Sequence, residues 1–68
     1  MKFEVEWHDN ANKRDRIRTF SAKREALVAA RDIARLWGKA ILVVHGEEGA
    51  TRLAVTWRES DFIIEYES

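Results

Sequence analysis

The chain has 68 residues, no cysteine and no proline, and twelve basic residues balance twelve acidic ones. This length allows one domain, residues 1–68, and is too short for two. Zero net charge argues against a general nucleic-acid binder held by bulk charge, and the lack of cysteine excludes a disulfide framework. No apolar run approaches the roughly 20 residues that cross a bilayer, and the first residues form no apolar signal region, so we expect a soluble, intracellular protein.

Two strands joined by a hairpin are predicted at the start of the chain. Residues 3–8 alternate between apolar and polar, which is the period of a half-buried strand. Asp and Asn residues then favour a turn, and a second alternating strand contains arginine at every other position from 14 to 18. Across this hairpin we expect Glu4 and Glu6 to face Arg16 and Arg18.

One amphipathic helix is predicted over residues 21–37. Ser21 is a favourable N-cap, and Gly38 stands where a left-handed residue would end the helix. Between them apolar residues recur at a spacing of three and four, and most of them are alanine, so the helix can lie close to a sheet. The predicted buried stripe consists of Ala26, Leu27, Ala30, Ile33, Ala34 and Trp37.

Three more strands are predicted after the helix. Residues 40–45 form a continuous apolar run, which is typical of a central strand covered on both faces. Residues 46–49 read as a tight hairpin loop in which glycine supplies a positive φ. Two alternating strands follow, one around Val55 and one around Ile64, with a turn over residues 58–61.

The element order ββαβββ predicts an α+β fold with a five-stranded antiparallel sheet and one helix on one face. The crossover from the second strand through the helix to the third should be right-handed, and it leaves a gap that the first strand can fill. The predicted strand order is therefore 2-1-3-4-5.

A single helix about 10 Å across covers only one face of such a sheet, because neighbouring strands lie about 4.8 Å apart. We therefore expect an apolar patch on the other face, which would serve a partner or a homodimer. The alternative is that Arg52, Arg58 and Glu65 lay their stems over it and that nothing binds there. The predicted interface residues are Leu42, Val44, Ala54 and Ile63.

The middle of the chain is basic. Residues 12–39 contain nine basic and three acidic residues, whereas both ends are acidic, so the fold has a dipole if these segments lie on different faces. Arg31 and Arg35 stand at the four-residue spacing where like charges cost roughly 0.2–0.5 kcal/mol, which stability alone would not select. The alternative is a solvated helix face eased by Asp32. The predicted partner-binding residues are Lys13, Arg14, Arg16, Arg18, Lys23, Arg24, Arg31 and Arg35.

Catalytic and metal-binding patterns are weak throughout the chain. His8, Asp9 and His45 are too few to ligate zinc, which takes four ligands, and there is no cysteine to complete the set. The carboxylate pairs lie in predicted turns, where exposure leaves them unsuited to general acid catalysis. We expect no enzyme activity, no cofactor and no metal.

Residues 19–26, the pairs Ala30-Arg31 and Ala34-Arg35, and residues 42–49 with their His-Gly ending resemble a small bacterial and phage domain family of unknown function. The resemblance covers roughly residues 17–49 and implies a hairpin, a helix and a strand, but no activity. The whole ββαβββ order also resembles some anti-CRISPR proteins of phages, in which a basic helix face meets a nucleic-acid-guided complex of the host. This topological resemblance would give Lys23, Arg24, Arg31 and Arg35 that role.

These observations lead to one leading hypothesis and two alternatives. The leading hypothesis is a non-enzymatic protein that binds a bacterial protein or nucleoprotein, as a phage-encoded inhibitor of a defence complex. The alternatives are a small nucleic-acid-binding domain that uses the basic helix and hairpin, and a homodimer of structural role formed through the sheet.

Overall fold

The computed structural model describes residues 1–67, which form one antiparallel sheet and one helix. The sheet order is β2-β1-β3-β4-β5, and every neighbouring pair is antiparallel. The predicted fold and strand order are confirmed. The elements are β1 (Lys2–Asp9), β2 (Arg14–Phe20), α1 (Lys23–Trp37), β3 (Lys39–Gly46), β4 (Gly49–Arg58) and β5 (Asp61–Tyr66).

Helix α1 begins two residues later than predicted and ends where predicted. Ala22 holds the N-cap position with an extended backbone and no side-chain cap, and its carbonyl accepts the first helical bond from the Ala26 amide at 3.1 Å. The prediction of Ser21 as the N-cap is wrong because this residue lies one position before the cap. Gly38 has a φ of 92°, and its amide donates to the Ala34 carbonyl at 2.7 Å, which confirms the predicted C-terminal stop.

The core lies between α1 and the middle of the sheet. Ala26, Ala30 and Ala34 are fully buried, so the helix backbone approaches the sheet closely. Leu42 of β3 and Val55 of β4 lie beneath it and are at most 2% exposed. Leu27 packs against this cluster, but Trp37 is 38% exposed, so the prediction of a buried Trp37 is wrong.

Residues with positive φ close three of the turns. Glu59 and Ser60 have φ values of 52° and 65°, the left-handed pair that joins strands across a two-residue hairpin turn. In the β3–β4 turn only Gly49 has a positive φ, 125°, so the predicted role of glycine belongs to Gly49 rather than to Gly46. Lys13, at φ 53°, closes the β1–β2 turn.

Asp9 organises the β1–β2 turn from a buried position. Its carboxylate accepts from the Asn12 side chain at 2.8 Å, from Arg16 Nε at 2.7 Å, and from the amides of Ala11 and Asn12 at 3.0 and 3.2 Å. The hydrogen bonds from Asn12 and Arg16 hold the pKa of Asp9 well below its usual range. The carboxylate of Asp9 therefore holds the predicted turn together and also neutralises Arg16.

Replacing Asp9 with asparagine is expected to lower stability in a pH-dependent way. Because the folded pKa of Asp9 is depressed, its stabilising effect is complete above the unfolded value of about 4 and is lost as pH falls through the folded pKa. Urea unfolding of the wild type and of Asp9→Asn should give midpoints that are well separated at pH 7 and that approach each other as pH falls from about 4 towards 2. An unchanged separation down to pH 2 would show that the carboxylate charge is not what holds the turn.

Candidate macromolecule-binding surface

The two faces of the sheet differ in charge because of the β1–β2 register. We call the face that packs on α1, together with α1 itself, the helix side, and the other face the open face. Asp9 pairs with Arg14, so paired residue numbers add up to 23, and Glu4 lies opposite Thr19. The prediction that Glu4 and Glu6 face Arg16 and Arg18 is wrong. Arg16 and Arg18 lie opposite Trp7 and Val5 and thus belong to the helix side.

Seven of the eight predicted partner-binding residues lie on the helix side. There they outnumber three acidic residues, Asp9, Glu25 and Asp32. The open face bears the opposite excess, with acidic residues on β1, β2 and β5 outnumbering its four basic residues, so the predicted dipole runs across the sheet. The seven are Arg14, Arg16, Arg18, Lys23, Arg24, Arg31 and Arg35, and Lys13 lies in the β1–β2 turn.

Two helix arginines rest on aromatic rings of β4 and β5. The guanidinium carbon of Arg31 lies 4.5 Å from the centre of the Phe62 ring, and that of Arg35 lies 5.2 Å from Trp57 and 5.6 Å from Phe62. The Trp57 and Phe62 rings pack against each other with their centres 4.6 Å apart. Each exposed cation–π contact contributes about 0.5–1 kcal/mol, which holds these side chains in place beside solvent.

The helix arginines have no acidic partner among residues 1–67. Arg24, Arg31 and Arg35 are exposed and form no ion pair there. The alternative of a solvated helix face eased by Asp32 expects an ion pair between Asp32 and Arg35, and none is present among these residues. By contrast, Asp9 neutralises Arg16, which removes one predicted contact residue from the free charges. The positive charge of the helix is therefore available to an anionic partner.

Strand β5 continues this surface beyond the helix. Helix α1 packs mainly on β3, β1 and β4, and on the helix side of β5 it covers Phe62 but leaves Ile64 and Tyr66 exposed. Ile64 is 48% exposed and Tyr66 is 80% exposed on this side. We define the arginine–aromatic surface as Arg31, Arg35, Phe62, Ile64 and Tyr66.

The β5 members of this surface are not among the residues predicted from the sequence to bind a partner. Their alternation predicts a strand, and the predicted strand order places that strand at the edge of the sheet. An edge strand beyond the reach of a single helix leaves its row of apolar side chains exposed. The predicted strand order, and not any local sequence pattern, therefore indicated this part of the surface.

On the open face the predicted interface is only partly found. Ala54 and Ile63 do lie there, but Leu42 and Val44 are on the helix side, opposite Val5 and Phe3. The prediction is wrong for Leu42 and Val44. The run at 40–45 is apolar on both faces of the strand, so the sequence does not show which alternate residues face the helix. The open-face residue between them, Val43, is only 3% exposed.

An ion-pair network lies across this face. Arg52, which is opposite Val43, donates to both carboxylate oxygens of Glu6 at 3.0 and 3.2 Å and to Glu67 at 2.8 Å. These two carboxylates raise the pKa of the Arg52 guanidinium above its already high value. On the other side of Val43, Glu4 contacts the His45 ring. The alternative in which Arg52 covers the strand is therefore the arrangement found, and the predicted bare apolar patch is wrong at its centre.

Neither histidine lies in a cluster that fits a metal ion. His8 Nδ1 lies 2.9 Å from Asp15 Oδ1, His45 contacts Glu4, and Asp9 is on the helix side. Over residues 1–67 no group of three or more His, Cys, Asp or Glu residues is placed to hold a metal. In the same part of the chain, no helix is both long and apolar enough to cross a membrane.

Comparison of the chain with protein-family models, with curated proteins and with solved structures finds no match. Neither of the two resemblances gains support from this result. The function is therefore argued from the surface itself.

Proposed function

We propose that this chain is a non-enzymatic binding protein that uses the arginine–aromatic surface to hold an acidic protein partner. The observation that carries the proposal is the position of Arg31 and Arg35 over the rings of Phe62 and Trp57, where neither forms an ion pair within residues 1–67. Arginine is the side chain best suited to bidentate contact with carboxylates.

Preorganisation supports this role. A side chain that is immobilised only on binding costs about 0.5–1.5 kcal/mol of entropy, and stacking on a ring removes part of that cost in advance. The exposed Ile64 and Tyr66 beside the arginines add apolar contact area. Aromatic residues and arginine are the types enriched in the centres of protein interfaces.

We propose further that the partner is a bacterial protein or nucleoprotein and that the chain inhibits it by covering part of its surface. The support for this step is the ββαβββ order, which resembles that of some anti-CRISPR proteins, together with the basic helix face. The proposal places the chain in the cytoplasm of the bacterial host.

Direct nucleic-acid binding is the second candidate, since guanidinium groups also bind phosphates and Tyr66 is exposed for stacking. The acidic open face opposes it, because a nucleic acid that wraps around so small a domain would meet Glu65 and Asp61. A homodimer through the open face has less support, since the Arg52 network already covers Val43.

Affinity capture from a bacterial lysate, with and without nuclease, tests the proposal. We expect a protein that remains bound after nuclease treatment, and we expect 20-nucleotide single- and double-stranded DNA to bind no tighter than the non-specific level of about 10⁻⁴ M at physiological salt. Loss of the captured material after nuclease, or micromolar DNA affinity that falls steeply with salt, would transfer the function to nucleic-acid binding.

A further inference from the structure

The backbone of β5 has a free hydrogen-bonding edge that can be assigned residue by residue. The amide of Glu67 donates to the carbonyl of Arg52 on β4 at 2.9 Å. In an antiparallel ladder the residues bonded to one neighbour alternate with those that point away from it. The backbone N–H and C=O groups of the odd-numbered residues of β5 therefore point towards β4. Those of Phe62, Ile64 and Tyr66 point outwards, away from the sheet.

Two of the three outward positions are open. The amide of Phe62 donates to the carboxylate of its neighbour Asp61 at 2.8 Å, so this amide is not free to bond to another strand. Ile64 and Tyr66 keep their outward amide and carbonyl groups, because β5 is the last strand of the sheet. The exposed side chains of these same two residues belong to the arginine–aromatic surface.

The opposite edge of the sheet is protected and β5 is not. Strand β2 contains arginine at positions 14, 16 and 18, and charged side chains along an edge discourage the addition of another strand. Strand β5 contains no lysine, arginine or proline, its charged residues Asp61 and Glu65 stand at positions whose backbone groups face β4, and Ile63 and Ile64 at its centre are 38% and 48% exposed. An unprotected apolar edge of this kind is a template for strand addition.

We propose that β5 is the docking edge for an extended segment of the protein partner, which adds to the sheet as a sixth, antiparallel strand beside Ile64 and Tyr66. This inference rests on the proposed function, because the arginine–aromatic surface lies on the helix side of the same strand. It specifies how one segment of the partner docks: as a strand added at the edge, beside the acidic part of the partner that the helix arginines contact.

Charge complementarity gives the sequence pattern of that segment. Arg31 reaches over the Phe62 ring, so the partner residue opposite Phe62 is acidic. Residues opposite Ile64 and Tyr66 are apolar. On the open face the row of β5 is acidic, and the partner residues opposite Glu65 and Asp61 are basic. From its N-terminus the segment reads apolar, basic, apolar, neutral, acidic, basic.

A second copy of the chain does not fit this edge. In antiparallel self-pairing centred on Ile64, Asp61 faces Glu67 of the other copy, and centring on Ile63 places Asp61 opposite Glu65. Centring on Glu65 places that residue opposite itself. Because like charges directly opposite one another destabilise a strand pair, the acidic row favours a segment with basic residues at these positions over a second copy of β5.

The test is an NMR titration of the isotope-labelled full chain with the peptide Val-Lys-Val-Thr-Glu-Lys, glycine-flanked and capped at both ends, up to millimolar concentration. We expect shifts at residues 62–66, slower exchange of the Ile64 and Tyr66 amides, and unchanged exchange of Glu65. The charge-reversed peptide Val-Glu-Val-Thr-Lys-Glu should bind at least about tenfold more weakly. No shift with the first peptide at millimolar concentration, or shifts confined to β2, would overturn the proposal.

A proline variant isolates the backbone contribution. Ile64→Pro removes an outward amide and leaves the bonds to β4 in place, as proline does on edge strands. We expect it to abolish binding of the Val-Lys-Val-Thr-Glu-Lys peptide. Equal binding by Ile64→Pro would overturn the docking edge.

Methylated peptides answer the same question if Ile64→Pro fails to fold. N-methylation of the second valine, opposite Ile64, should abolish binding by the wild-type chain, and N-methylation of the threonine, whose amide points away from β5, should not. Equal effects of the two methyl groups would overturn the strand arrangement.

The outcomes separate this inference from the proposed function. If Ile64→Pro binds the captured partner normally while the Arg31→Glu and Arg35→Glu changes abolish binding, the edge is wrong and the function stands. If only Ile64→Pro loses the partner, the edge stands and the arginine contact is wrong. A concentration-dependent dimer of the free chain in sedimentation, lost in Ile64→Pro, would replace the foreign strand with a second copy.

Discussion

Replacing Arg24, Arg31 and Arg35 together with glutamate is expected to reduce affinity for the captured partner by at least about 100-fold at physiological salt. Each of these exposed arginines lacks an ion-pair partner among residues 1–67, and each reversal replaces an attraction to an acidic surface with a repulsion. A 100-fold loss corresponds to about 2.8 kcal/mol, which three charge-assisted contacts readily supply. Titration of immobilised partner with each variant measures the change.

The open face supplies a matched control for this variant. Lys2→Glu, Lys39→Glu and Arg58→Glu change the net charge by the same amount, at three exposed positions away from the arginine–aromatic surface. We expect this triple variant to bind within about threefold of the wild type. Equal losses in the two variants would mean that net charge, and not the position of the arginines, governs binding.

Replacing Leu42 with alanine is expected to lower the free energy of unfolding by about 2–5 kcal/mol. Leu42 is 2% exposed, lies among the largest fully buried side chains, and belongs to the core cluster beneath α1. A domain of this size has a total stability of only about 3–10 kcal/mol, so the variant should be partly or wholly unfolded at 37 °C. Urea unfolding followed by far-ultraviolet circular dichroism measures the loss.

A leucine on the exposed side of the helix provides the comparison. Leu36 is 78% exposed, and Leu36→Ala should change stability by no more than about 0.5 kcal/mol. If Leu42→Ala were as stable as Leu36→Ala, β3 would not have the helix-facing phase described here, and the original assignment of Leu42 to an open interface would regain support.

The order of the elements was predictable because each has a distinct period and the connections admit few topologies. The alanine stripe of α1, with Ala30 at its centre, has the helical period, and the continuous apolar run of β3 requires a central position. Right-handed crossover then leaves one place for β1. Gly38 marked the end of the helix because a left-handed backbone is needed there.

The faces of the strands were not predictable from the same patterns. In β3 both phases are apolar, so Leu42 and Val43 could not be told apart until the register with β1 and β4 was known. In β2 the arginine row was assigned to the wrong face because a four-residue turn shifts the pairing by one position relative to the predicted one. A shift of one residue moves every side chain of a strand to the opposite face.

Long-range polar contacts were equally hidden. The bond from Arg52 to Glu6 spans 46 positions and that from His45 to Glu4 spans 41, and nothing in the local sequence pairs them. The basic character of residues 12–39 was visible at once, but the choice of which charges stay free depends on such contacts. Arg16 is neutralised by Asp9, whereas Arg31 and Arg35 are held by rings.

Arginine footprinting of the wild-type chain, alone and bound to its captured partner, tests the helix-side contact most directly. A glyoxal reagent that modifies exposed guanidinium groups is applied to both samples, and modification of each arginine is measured by mass spectrometry. We expect the partner to protect Arg31 and Arg35 while Arg58, exposed on the open face, reacts equally in both samples. Protection of Arg58 with unchanged reaction of Arg31 and Arg35 would contradict the assignment of the binding surface.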